Sequence, residues 1–173
     1  MRILFTVYFL LMVVCSFAQP SSFPASFVGN WKGTLTWIRP GKQPQEFTMR
    51  LNIQPVDSGR YTWQIVYGDN QQDNRPYLLQ PVDTAKGHWQ VDERNTIVLD
   101  SYVIGNVFSS VFSVSGSTIV SKYELTDKGL LVSFTTFATK PVTITGGTSA
   151  EMPPVDSYKV LGLQQGVLKR VAN

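Results

Sequence analysis

A chain of 173 residues suits one domain of ordinary size, and 43% hydrophobic against 16% charged residues lets it fill a core while Ser, Thr, Gln and Asn supply the surface. Its 15 Lys and Arg against 12 Asp and Glu leave a net charge of +3. The basic residues form no run, which excludes a nucleic-acid-binding footprint. One histidine and one cysteine are too few for the usual nitrogen or sulfur metal sites.

The first eighteen residues have the form of a secretory signal peptide. Arg2 gives a positive start, residues 3–14 form an apolar run, and Ser16 and Ala18 are the small residues that precede a cut. Cleavage is expected between Ala18 and Gln19. Residues 1–18 are thus read as a leader, 19–26 as a short polar arm and 27–173 as the folded domain. The apolar run is shorter than the roughly 20 residues of a membrane-spanning helix, and no later stretch approaches it, so no membrane span is expected. A lipid-acceptor cysteine usually follows a small residue, whereas Val14 precedes Cys15, so cleavage is favoured over lipid anchoring. The cleaved chain has no cysteine, hence neither a disulfide nor a thiol nucleophile. Export without disulfides suits a bacterial envelope or an extracellular space, so the expected location is periplasmic or extracellular.

The opening stretch of the domain, residues 27–37, places Trp31, Gly33, Leu35 and Trp37 on one face of a strand. Pro40-Gly41-Lys42-Gln43-Pro44 is a turn. Phe47, Met49, Leu51 and Ile53 then alternate with Thr48, Arg50, Asn52 and Gln54, a period of two. After Asp57-Ser58-Gly59, Tyr61, Trp63, Ile65 and Tyr67 alternate with Thr62, Gln64 and Val66. Residues 68–74 are a polar loop. Residues 76–82 resume an extended segment, in which Pro81 predicts an edge or a bulge. Residues 87–91 and 96–103 read as a pair joined at 92–95, and Gly105-Asn106 as a tight hairpin. Strands follow at 107–114, 118–125 and 130–138, then a loop over 143–154 rich in Gly, Thr and Pro, and a closing segment at 158–171. About ten short strands with hairpin-short links and no helical periodicity predict an all-β fold, a single up-and-down antiparallel barrel of about 8–10 strands. Closure removes the free edges of an open meander.

Gly29-Asn30-Trp31 is similar to the Gly-x-Trp signature of the calycins, the group of lipocalins and fatty-acid-binding proteins. The resemblance implies that Trp31 plugs one barrel end beneath a cation from the last strand, for which Lys169 and Arg170 are placed; Gly29, Trp31 and Arg170 are taken as the plug. Other family features differ. Thr126-Asp127 is followed by Lys128 and not by the lipocalin tyrosine, no helical lid fits between Trp37 and Phe47, and no Arg-x-Tyr clamp ends the chain. The likeness therefore carries the barrel and its plug, not a fatty-acid site.

Alternation puts Trp37, Phe47, Met49, Tyr61, Trp63, Tyr67, Phe108, Phe112 and Tyr123 on the inward face, with the small hydroxylated Ser110, Ser121 and either Ser133 or its neighbour among them. Such a wall either encloses a ligand cavity or fills the core. Arg75 and Tyr77 are expected at a mouth framed by residues 69–75 and 143–154, where an arginine could clamp an anion. His88 lacks a nucleophile elbow and is read as a rim or turn residue. Asp100 and Glu124 show no spacing of a glycosidase pair, and Glu124 is expected on the outer face, paired with Lys122. The Asp69–Asp73 loop lacks a calcium-loop pattern and is read as solvated. The expectation is an exported monomer binding a small apolar or amphipathic ligand in its interior, with no catalytic motif, cofactor, metal or nucleic acid. The alternative is a structural or interaction module of the cell envelope with a filled core and binding loops.

Overall fold

In a computed structural model, residues 23–68 and 73–172 are described. The expected leader, Cys15, residues 19–22 of the arm and loop residues 69–72 lie outside the described residues. The alternating runs form ten strands: β1 (Gly29–Ile38), β2 (Gln45–Ile53), β3 (Tyr61–Tyr67), β4 (Asp73–Asp83), β5 (His88–Asp92), β6 (Val98–Ile104), β7 (Val107–Val114), β8 (Ser117–Thr126), β9 (Gly129–Thr145) and β10 (Val155–Val171). Each pairs antiparallel with its chain neighbours, and β10 pairs with β1, which closes the barrel. The only helical pieces among the described residues are three-residue turns, Ala25–Phe27 and Thr84–Lys86.

One side chain in two faces the interior. Leu35, Met49, Ile53, Leu79, Leu130 and Leu168 are fully covered there, while Lys32, Arg50 and Lys169 share a row on the outside of β1, β2 and β10. At Pro81 the β4–β5 register shifts, so the proline sits at a bulge, not an edge. The turn after β5 is longer than its sequence suggests. Glu93 N–H donates to the Ile97 carbonyl at 2.9 Å, and β6 begins only at Val98.

The larger departure is at 143–154, where a loop is expected. β9 runs on to Thr145 and β10 starts at Val155, so only residues 146–154 form the connection. The β-branched run Val142-Thr143-Ile144-Thr145 favours extended backbone, whereas Gly146 and Gly147 turn the chain with φ of 77° and 73°. The result is a two-stranded ribbon projecting past the barrel. β9 has its last β8 partner at Ala138 and β10 its last β1 partner at Leu163. Val142, Ile144, Val155 and Val160 are exposed on the ribbon.

Candidate functional site

Up-and-down topology sends the connections alternately to two barrel ends. At the end that holds both termini of the barrel, aromatic residues close the interior. Phe23 stacks on Phe108 with ring centroids 4.7 Å apart and meets Trp89 and Phe27 edge-on at 5.3 and 5.0 Å. Trp31 is buried, and its indole N–H donates to the Phe27 carbonyl at 2.8 Å. The Arg170 guanidinium lies over the Trp31 ring, 4.7 Å from its centroid. The Arg170 side chain also runs 3.4 Å from where a Cβ on Gly29 would stand. Lys169 points outward and donates to the Lys128 carbonyl.

Above this floor lies a cavity of about 420 Å³. Its wall is mostly aromatic: Trp37, Phe47, Trp63, Tyr67, Phe108, Phe112, Tyr123 and Phe134, with Ile65, Val91, Leu99 and Ile119 between them. Beside the tyrosine hydroxyls, Ser110, Ser121, Thr136 and Gln164 supply neutral polar groups, and Arg75, Tyr77 and Glu93 complete the lining. The interior is therefore packed at the plugged end and leaves a cavity above it.

Nine of the eleven wall residues expected from alternation line this cavity, as do Arg75 and Tyr77. Met49 and Tyr61 do not. Both share the inward face, but Met49 is completely covered within the core. Tyr61 starts β3 beside the turn at the plugged end and packs against the core instead. Alternation fixes the face of a residue, not its depth. Phe134 and not Ser133 faces inward, because Ser133 pairs with outward Lys122. Glu93, Thr136 and Gln164 were not read from the sequence. For Thr136 the period-two step from Phe134 was the available signal.

Arg75 grips Asp73 with both Nε and Nη2 at 2.8 Å and lies 4.9 Å from the Tyr67 ring centroid. Those hydrogen bonds hold the Asp73 carboxyl below the usual range. Burial pushes the Tyr67 hydroxyl up to about 12, with Arg75 opposing. Burial likewise raises the Tyr123 hydroxyl, against a hydrogen bond from the Trp63 indole. Tyr77 is raised by burial first and by the charge of Glu93 second.

Three inward serines form a row across adjacent strands: Ser101 stands opposite Ser110, and Ser110 opposite Ser121. Ser101 and Ser110 share a hydrogen bond of 2.7 Å.

The remaining candidates lie away from the cavity. His88 Nε2 is 2.7 Å from Asp100 Oδ1 on the outer face, stacked on Tyr102. Hydrogen bonds from His88 and then Gln90 lower the Asp100 carboxyl. Glu124 accepts from Asn106 at 3.2 Å, so the expected pairing with Lys122 is replaced by a loop contact. Arg50 donates to the Gly68 carbonyl at 2.8 Å. Asp73 commits both carboxylate oxygens to Arg75, and residues 69–72 of the loop considered for calcium lie outside the described residues. Among the described residues no three His, Cys, Asp or Glu gather as a metal site, and no helix is long and apolar enough to cross a membrane.

No protein-family model matches the chain, and no curated protein matches it.

Proposed function

We propose that the protein is an exported, calycin-like, non-catalytic binding barrel that holds one small apolar or amphipathic molecule in its interior and acts as a monomer. The observation that carries this reading is a cavity of about 420 Å³ walled by aromatic rings above a floor plugged by Phe23, Trp31 and Phe108. A cavity of that size lies within the usual range for small-molecule sites. Each 100 Å² of apolar ligand surface removed from water contributes about 2.5 kcal/mol before ordering costs. The leader supports export, and the Gly29–Trp31 signature with Arg170 above it supports the calycin likeness.

The test is titration with the neutral fluorescent probe N-phenyl-1-naphthylamine, alongside native mass spectrometry of protein purified without detergent. Saturable enhancement at one probe per chain, or a discrete extra mass lost on denaturation, is expected. Absence of both sinks the reading.

One observation favours the interaction module instead: the β9–β10 ribbon exposes Val142, Ile144, Val155 and Val160 beyond the barrel. Such an edge is suited to pairing with another strand. Shortening the ribbon leaves probe binding intact if the interior is the functional site.

A further inference from the structure

The cavity has a polar feature that an apolar container does not need. Ser110 and Ser121 face each other across β7 and β8, are 6% and 5% exposed, and both line the cavity. They lie between the aromatic floor, Phe108 and Tyr123, and the residues nearer the β7–β8 turn, Phe112 and Ile119. Ser110 is tied to Ser101, whose hydroxyl is also 3.4 Å from the Leu99 carbonyl. Ser121 is different. Its carbonyl accepts from Ser109, but among the described residues nothing bonds its hydroxyl. The residue is 5% exposed and lines the cavity, so its hydroxyl, which no described side chain bonds, is left to a group that enters the cavity.

We propose that the interior site selects an uncharged, ring-bearing molecule that seats a hydroxyl or carbonyl oxygen on the Ser110–Ser121 pair; this rests on the interior-binding reading above. Ser121 donates to the incoming oxygen. Ser110, when its proton goes to Ser101, offers lone pairs to a ligand hydroxyl, so a hydroxyl is satisfied in both directions and a carbonyl in one. Charge is excluded at this depth. Two serine hydroxyls do not offset the desolvation of a carboxylate. Among the described residues of the lining, Arg75 is the only cation and is already forked onto Asp73, and the other charge is the carboxylate of Glu93. The aromatic side chains of Phe108, Phe112 and Trp63 in the wall favour rings over a flexible chain, which loses more rotational freedom on burial.

Equilibrium dialysis of the purified protein against naphthalene, 2-naphthol and 2-naphthoate separates the possibilities. 2-Naphthol is expected to bind about tenfold more tightly than naphthalene, the scale of one to two hydrogen bonds made away from water, and 2-naphthoate more weakly than both. Ser121→Ala removes no existing hydrogen bond, so it folds, and it brings 2-naphthol to within about threefold of naphthalene. Ser110→Ala does the same to the ratio, but also removes the 2.7 Å hydrogen bond with Ser101 and lowers stability. Equal binding of naphthalene and 2-naphthol, preferred binding of 2-naphthoate, or an unchanged ratio in Ser121→Ala overturns the serine site while leaving interior binding standing. If none of the three compounds nor N-phenyl-1-naphthylamine binds, interior binding itself fails, and the serine site with it.

Discussion

Arg170 lies across the indole of Trp31 and donates from Nη2 to the Ser26 carbonyl at 2.8 Å. Closure sets this pair, because Trp31 and Arg170 stand opposite each other where the first strand meets the last. One side chain thus joins the segment before β1, the β1 strand and the β10 strand. Arg170→Ala is expected to lower stability by about 1–2 kcal/mol, from the lost cation–π contact and hydrogen bond. Arg170→Lys keeps the charge without the planar stacking and is expected to recover less than half of that loss. Urea denaturation checks both, and an unchanged midpoint in Arg170→Ala would make the stacking incidental.

The same seam depends on two glycines. A Cβ on Gly166 would overlap the Thr34 carbonyl oxygen, and one on Gly33 the Val167 carbonyl oxygen. The obstacle is backbone on both sides, so no side chain can move aside. Gly166→Ala is expected to cost more than about 3 kcal/mol or to leave the barrel open. Gly116, in the β7–β8 turn, has nothing within 4 Å of a built Cβ but a φ of 80°, and Gly116→Ala therefore costs only about 1 kcal/mol. Comparable losses in the two variants would contradict a close approach at the seam.

Much of this was legible because a strand's period of two is blunt and repeated. The run from Phe47 to Ile53 fixed an inward face without ambiguity, and ten such runs with short links leave few topologies besides a closed meander. The site was legible to the same degree, since alternation names the face of Trp37 or Tyr123. Depth is set by closure between residues far apart in sequence, and local pattern is silent on it. Met49 therefore vanished into the core, and Tyr61 fell at the wrong end. Phe23 illustrates the opposite loss. It stands among Pro and Ser residues that read as a polar arm, yet its ring completes the floor. Nothing local marks a single aromatic residue as a plug. The ribbon is hidden in the sequence because Gly146, Gly147, Pro153 and Pro154 signal a loop more strongly than the β-branched run before them signals a strand.

Phe23 supplies a third prediction. Its ring contacts Phe27, Trp89 and Phe108, so Phe23→Ala removes the centre of the floor. The expected loss is about 3 kcal/mol, from transfer of the ring and the space left behind. Phe23→Leu keeps most of the volume and is expected to lose less than about 1.5 kcal/mol. If the alanine variant matches the wild type in urea, the segment before β1 lies off the barrel in solution and the floor is made by Trp31, Trp89 and Phe108 alone.

Alkaline titration tests the burial of the cavity wall. The Tyr67 hydroxyl is pushed up to about 12, chiefly by burial, from the ordinary value of about 10. The folded state therefore holds a proton that the unfolded chain releases sooner. Its contribution to stability is full below about pH 10 and is lost as pH rises through about 12. Tyr123, raised further by burial, adds to the same slope. The wild-type urea midpoint is expected to fall steadily across that window while phenolate absorbance lags behind that of the unfolded protein. Tyr67→Phe removes one of these protons, so its midpoint falls less steeply with pH although its stability at neutral pH changes little. A Tyr67→Phe variant with the wild-type slope would place the Tyr67 hydroxyl in water, at an open mouth and not in the wall of an apolar cavity.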